Sequence, residues 1–293
     1  MNRLLIVGCG DVMRRALPGL LHRWRVYALV RRPDPVLAAW GVVQIVGDLD
    51  QAVTLRRLAG LADAVVHSAP PANDDSNEDH RTRRLIAALR RRGSLPRRLI
   101  YIGTSGVYGD CRGERVPEVR PAAPRSGRAR RRHSAEILLR RFNAASGCSV
   151  SLLRAPGIYA ADRLPLERLR RGLPLLSPGE DVYTNHIHAD DLAAACIAAL
   201  RHGRSCRAYN ASDDSELKMG EWFDTLADAF ALPRAPRATP AEVDAALSPM
   251  QRSFMGESRR LCNRRLKAEL RLRLRYPTTA EGIAAALVGK GST

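Results

Sequence analysis

The chain has 293 residues, 45% of them hydrophobic, and a formal net charge of +18. That length buries a full core. No apolar run reaches the ~20 residues of a membrane span or resembles a secretory leader, so a cytoplasmic protein without membrane contact is expected. Only Lys218, Lys267 and Lys290 are lysines. The positive charge is arginine dispersed over many segments with few aromatic residues between, which reads as a solvated surface and argues against nucleic-acid binding. The six cysteines are scattered without a CxxC pair, so they read as reduced thiols and not as a disulfide frame or zinc site.

In chain order, short β-branched runs alternate with helical patterns, the signature of a parallel sheet covered by helices. Residues 3–7 predict a buried strand. A glycine turn at 8–10 and a helix to about residue 23 follow. Strands are predicted at 25–30, 42–46, 63–67, 98–102 and 149–153. Helices are predicted near 51–59 and over 76–92 and 128–146, the last ended by Gly147. Residues 112–127, rich in Pro, Arg and Gly, read as a loop. After Pro156 the alternation breaks. A short helix is expected near 163–171. Asp190 and Asp191 then open an Ala-rich helix, because carboxylates suit a helix N-terminus. Residues 206–210 predict a last strand, and 218–288 read as helices broken by prolines. The fold class is therefore α/β: a Rossmann-type doubly wound parallel sheet with a smaller, mainly helical C-terminal lobe. Residues 1–157, with 185–212 returning, form the first domain, and 158–184 with 213–293 the second.

Gly8-Cys9-Gly10 sits between a predicted strand and a predicted helix, the setting in which glycines let the backbone approach a pyrophosphate at a helix N-terminus. Met13 stands where the third glycine of that fingerprint belongs. Asp11 and Val12 open the helix. At the end of the second strand an Asp or Glu would hold the ribose 2′-OH of NAD. Arg31 and Arg32 stand there instead and suit a 2′-phosphate, so NADP is favoured with NAD as the alternative. Asp48 and Leu49 after the third strand, and Ser68, Ala69 and Pro70 after the fourth, fall at the carboxyl ends of strands, where open α/β sheets take ligands.

Four segments together resemble the extended short-chain dehydrogenase/reductases of the NAD-dependent epimerase/dehydratase family. They are the glycine turn at 8–10, YIGTSGVYGD (101–110), LRAPGIYA (153–160) and NHIHADDLA (185–193). By that resemblance Thr104 takes the catalytic Ser/Thr position with Ser105 beside it, and Pro156 lies on the nicotinamide side. The family's Tyr-x-x-x-Lys pair falls on Arg128 and Arg132, counted back from Glu136. Guanidinium does not act as a general acid or base at working pH, so the usual proton relay is missing and the chain reads as an atypical member. Arg132 is expected to replace the lysine at the cofactor ribose, and Arg128 to meet an anionic group. Tyr108, Tyr159, His133 and His186 are the candidates for another proton donor. His186 and His188 beside Asp190 and Asp191 allow a metal site, but the resemblance accounts for them as a turn into a helix and no metal is expected.

In the C-terminal part, Trp222, Phe223 and Phe230 read as core. Ser248-Pro249-Met250 and Phe254-Met255 read as a pocket wall, and Arg259 as a contact for an anion or a surface ion pair. The implied function is hydride transfer to or from a small hydroxyl or carbonyl substrate, or else a catalytically weak dinucleotide-binding sensor or partner-binding protein. The resemblance also implies a possible homodimer through helices 76–92 and 128–146.

Overall fold

The computed structural model describes residues 1–92, 94–248 and 255–290. Seven strands form one parallel sheet: β1 (Asn2–Val7), β2 (Trp24–Val30), β3 (Val43–Val46), β4 (Ala64–His67), β5 (Arg98–Thr104), β6 (Ser149–Ala155) and β7 (Arg207–Asn210). Their order is β7-β6-β5-β4-β1-β2-β3. The order reverses between β1 and β4, which opens a crevice at their carboxyl ends, where ligands bind in such sheets. In register, Val7 of β1 faces Leu29 of β2 and His67 of β4.

The strands read as nearly continuous apolar runs because both faces are covered. Leu4 and Ile6 point to one face, where they pack with Met13, Leu17 and Leu20 of α1 (Asp11–Leu21) and with Leu192, Ala195 and Ala199 of a later helix. Leu5 and Val7 point to the other, against Leu85 and Leu89 of α3 (His80–Leu89) and Leu139 and Phe142 of α4 (Gly127–Ser146). Helix α4 is capped by the Ser126 hydroxyl, which was not expected, and ended by Gly147 in the left-handed region, as the sequence predicts.

The remaining helices are α5 (Leu166–Arg170), α6 (Ala189–His202), α7 (Met219–Ala229), α8 (Pro240–Ala246), α9 (Arg264–Leu270) and α10 (Thr279–Lys290). A third hydrophobic cluster joins Leu166, Leu169, Leu175, Trp222, Phe223, Leu226, Val243 and Ile283, with Phe230 packed against it. Trp222 and Phe223 are thus core, as predicted.

Several local expectations are corrected. Residues 52–58 form a 3-10 helix and not an α-helix. Helix α2 (Pro35–Ala39) was not expected; the Asp34 side chain accepts from Val36 N and Leu37 N, with Pro35 at the first turn. The 112–127 loop contributes Arg115–Val116, which pairs in parallel with Arg260–Leu261. Two-residue strands also interrupt the expected helical tail at Leu217–Lys218 and Arg237–Ala238. Of the expected pocket wall, Pro249, Met250 and Phe254 lie outside the described residues, while Ser248 is exposed and Met255 is buried.

Candidate functional site

The turn after β1 depends on glycine for two different reasons. Gly8 has φ +94°, and a Cβ there would stand 2.4 Å from Ala69 N, so the β1 and β4 turns touch backbone to backbone. Gly10 is the N-cap of α1 and makes no side-chain cap bond, while a Cβ built on it meets nothing within 4 Å. The first-turn N–H groups of α1 therefore face open space, the arrangement that attracts an anion. Met13 does not crowd this turn, because its side chain is buried in the core between α1 and the sheet. Ser68 closes the floor by donating its hydroxyl to Gly8 O at 2.5 Å.

A cavity of about 920 Å³ opens from this turn across the end of β2. It is lined by Gly8, Gly10, Arg31, Arg32, Asp48, Ser68, Ala69 and Pro70, all expected from sequence, together with Cys9 and Asp34. Arg31 and Arg32 are exposed and make no hydrogen bond or ion pair among the described residues. Asp34 is committed: it caps α2 and pairs with Arg14. Burial pushes the Cys9 thiol up to about 11, which leaves it protonated at neutral pH and a poor nucleophile.

A smaller cavity of about 190 Å³ shares Gly8, Gly10 and Ser68 and continues between β5 and β6. Asp11, Val12, Thr104, Arg128, Arg132 and Pro156 line it, with Arg163, which sequence reasoning missed. The Thr104 hydroxyl accepts from Gly106 N at 3.1 Å, which leaves its own proton free for a ligand oxygen. Arg132 is buried and donates through one Nη to Ile102 O at 2.9 Å, Tyr101 Oη at 3.1 Å and Ala69 O at 3.4 Å, so it ties the β4 and β5 ends together. Arg128, one helical turn earlier, makes no hydrogen bond or ion pair among the described residues. Protein packed around its guanidinium, and then the like charge of Arg132, lower its pKa from the ordinary arginine value. Asp11 is drawn up by partial burial, but hydrogen bonds from Arg15 at 2.8 Å and Arg163 at 3.0 Å hold its carboxyl below the usual range.

Helix α4 is fixed under this cavity by a buried bidentate pair. Arg154 of β6 donates to the two Glu136 oxygens at 2.9 and 2.7 Å, with side chains 5% and 2% exposed. Two expected residues lie outside both cavities: Leu49 and Ser105 are buried and line neither.

None of the four alternative proton donors lines the Thr104 cavity. Tyr108 donates to Asn210 Oδ1 at 2.7 Å, and burial pushes it up to about 12. Burial raises the Tyr159 phenol further still. His133 lines a separate cavity of about 430 Å³ on α4. His186 stacks on Trp222 with centroids 4.2 Å apart, and burial lowers its pKa to about 3. His188 accepts from Asp190 N as the cap of α6, whereas Asp191 accepts from Arg275 N and Tyr276 N. These partners are structural, and no group of three metal-ligating side chains occurs among the described residues. Arg259 donates to Gly109 O and pairs with Glu257, both at 2.7 Å, so it serves a loop.

A parallel doubly wound sheet with a glycine turn at its switch point defines a Rossmann-type protein. The sequence model of the NAD dependent epimerase/dehydratase family matches residues 17–212, and the chain belongs to that family. No curated protein matches it by sequence. Among solved structures, a functionally unknown conserved protein from Silicibacter pomeroyi DSS is 28% identical, with a TM-score of 0.82 over 99% of both chains. UDP-glucose 4-epimerase from Thermotoga maritima, solved with UDP-glucose, is 16% identical with a TM-score of 0.79 over 99% of both chains. A dTDP-glucose 4,6-dehydratase from Streptomyces venezuelae, solved with NAD, is 21% identical with a TM-score of 0.78 over 99% of this chain and 97% of that one. The last two show the shared fold. No helix among the described residues is long and apolar enough to cross a membrane.

Proposed function

We propose that the chain binds a nicotinamide dinucleotide, NADP in preference to NAD, and transfers a hydride between it and a small hydroxyl or carbonyl substrate. The observation that carries this reading is the continuity of the two cavities through Gly8, Gly10 and Ser68. The open backbone at Gly10 fits a pyrophosphate, because nothing occupies the space a Cβ would enter. Arg31 and Arg32 would hold the 2′-phosphate, with Asp48, Ala69 and Pro70 beside the adenosine. Pro156 and Val12 would border the nicotinamide. The division into a dinucleotide domain (1–157 with 185–212) and a substrate lobe (158–184 with 213–293) belongs to the same reading.

When bound, the nicotinamide supplies or accepts the hydride at C4. Thr104 orients the substrate oxygen by donating its free hydroxyl proton, held in place by Gly106 N. Arg132 ties the β4 and β5 ends together at fixed spacing. Among the described residues lining this cavity, Asp11 is the titratable acid, and its pairing keeps it ionised. The proton that balances the hydride is therefore taken from water through Thr104 in carbonyl reduction and released to water in hydroxyl oxidation, in place of a tyrosine.

A second cofactor reading rests on Asp34, whose carboxylate lines the same cavity and is able to accept a ribose 2′-OH, as in NAD enzymes. Its existing bonds to Val36 N, Leu37 N and Arg14 weigh against it. The sensor reading rests on the missing acid–base pair alone. Titration of the purified protein with NADPH and NADH, followed by nicotinamide fluorescence and thermal stabilisation, tests all three. Tighter binding of NADPH is expected. Preference for NADH assigns the cavity to Asp34, binding without turnover of any carbonyl supports the sensor, and binding of neither sinks the proposal.

A further inference from the structure

The Thr104 cavity has a charge imbalance that the hydride reading leaves unexplained. Arg128, Arg132 and Arg163 line it, against Asp11 alone among the described lining residues. Asp11 is already shared between Arg15 and Arg163, and Arg132 donates through one Nη to carbonyls and a phenol while its Nε is buried without a partner. Arg128 is the guanidinium left over. It has no hydrogen bond or ion pair among the described residues, is exposed where it lines the cavity with Arg132, and lies in the first turn of a 20-residue helix that has no acidic residue there to offset the positive end of the dipole. The like charge of Arg132 and the positive helix end both favour an anion at this position. The exposed Arg128 side chain lines the same cavity as Thr104.

We propose that this cavity takes the carboxylate of a small organic acid, gripped by Arg128, with the acid's hydroxyl or carbonyl oxygen on Thr104. The proposal rests on the hydride-transfer reading for the role of Thr104, but the anion site stands on the charge and geometry of Arg128. A planar guanidinium binds a carboxylate in bidentate fashion, which fixes the plane of the acid as well as its position.

The test titrates the protein, alone and with saturating NADP⁺, with acid–amide pairs of matched shape: pyruvate with pyruvamide, lactate with lactamide, benzoate with benzamide. Calorimetry is expected to show at least one acid binding about tenfold more tightly than its amide. The preference should vanish in Arg128→Gln and return in part in Arg128→Lys, with melting temperatures unchanged because Arg128 supports no other contact. No acid preference in any pair, or a preference that survives Arg128→Gln, overturns the proposal. It is equally overturned if Arg128→Gln weakens NADP⁺ binding as much as acid binding, since Arg128 then serves the cofactor. Failure of the wild-type protein to bind either dinucleotide removes the hydride-transfer reading only, and the acid preference of the protein alone then decides the anion site.

Discussion

The two ends of the ligand groove are built in opposite ways. At the wide end, across β2, the lining arginines are exposed and uncommitted, and the walls are turns that touch through backbone. At the narrow end, between β5 and β6, Arg132 is buried and tied to three strand-end oxygens, and α4 is pinned from beneath by Arg154–Glu136. Dinucleotide recognition needs an open cradle and charges that meet solvent until the ligand arrives. Reaction chemistry needs side chains held within a fraction of an ångström. Under the proposed function the narrow end would be a rigid reaction site with Arg128 and Arg132 in place of a proton-relay pair. The scaffold for positioning a substrate is therefore separable from the groups that move its proton.

The sharpest way to break this contrast is to cut the brace under the narrow end. Glu136→Ala leaves the Arg154 charge buried without its partner and should cost about 3–5 kcal/mol of unfolding free energy in urea titration. The Glu136→Leu/Arg154→Met double variant removes both charges and should recover most of that loss. If Glu136→Ala costs under about 1 kcal/mol, α4 is held by its apolar face alone.

The wide end should fail differently. Gly8→Ala forces a φ of +94° on alanine and drives its Cβ to 2.4 Å from Ala69 N, so about 2 kcal/mol or more of stability should go along with dinucleotide binding. Gly10→Ala meets no protein atom. It should melt like the parent yet bind dinucleotide at least about tenfold more weakly, because its methyl enters the space left for pyrophosphate. Unchanged affinity in Gly10→Ala would show that the groove takes its ligand elsewhere. A smaller change tests the open charges: Arg31→Ala/Arg32→Ala should reduce the NADPH-over-NADH preference by about tenfold with no stability loss.

Much of this contrast was open to reading in the sequence, for identifiable reasons. β1, β2 and β5 announce themselves because strands buried on both faces read as apolar runs, and β6 does so through Val150, Leu152 and Leu153 despite Ser151 and Arg154. The Gly8 turn does so because only glycine tolerates that contact. Helix α2 was signalled as well, by Asp34-Pro35, a cap followed by the residue best suited to a first turn, yet five residues are too few to show a period. What stayed hidden depends on long-range neighbours. Arg163 reaches the cavity because it pairs with Asp11, 152 positions away. Two-residue strands such as Arg115–Val116 exist only because Arg260–Leu261 arrives beside them. Arg132 lines the cavity as expected, and nothing in the helix pattern shows that one of its Nη atoms also donates to Ala69 O, Ile102 O and Tyr101 Oη.

The smallest predicted effect compares buried titratable groups at the sheet and in the lobe. His67, at the end of β4, and His186, stacked on Trp222, are both lowered, chiefly by burial, His186 to about 3. Each is neutral in the fold but takes a proton when unfolded below about pH 6.5, so each removes stability as pH falls below that value. Asp213, whose N–H donates to His186 O at 2.8 Å, is raised by burial to about 8. It keeps its proton in the fold while the unfolded carboxyl is ionised above about pH 4. Its contribution is therefore full at low pH and is lost as pH rises through about 8. Among these three groups the two histidines outweigh the aspartate below pH 6.5 and the aspartate alone acts above it, so their joint contribution to the urea midpoint should be largest near pH 6.5. Asp213→Asn should flatten the alkaline side of that peak and leave the acid side in place. A parent protein whose midpoint keeps rising to pH 8 would mean that the Asp213 carboxylate is solvated, and that the lobe beside His186 is looser than the sheet around His67.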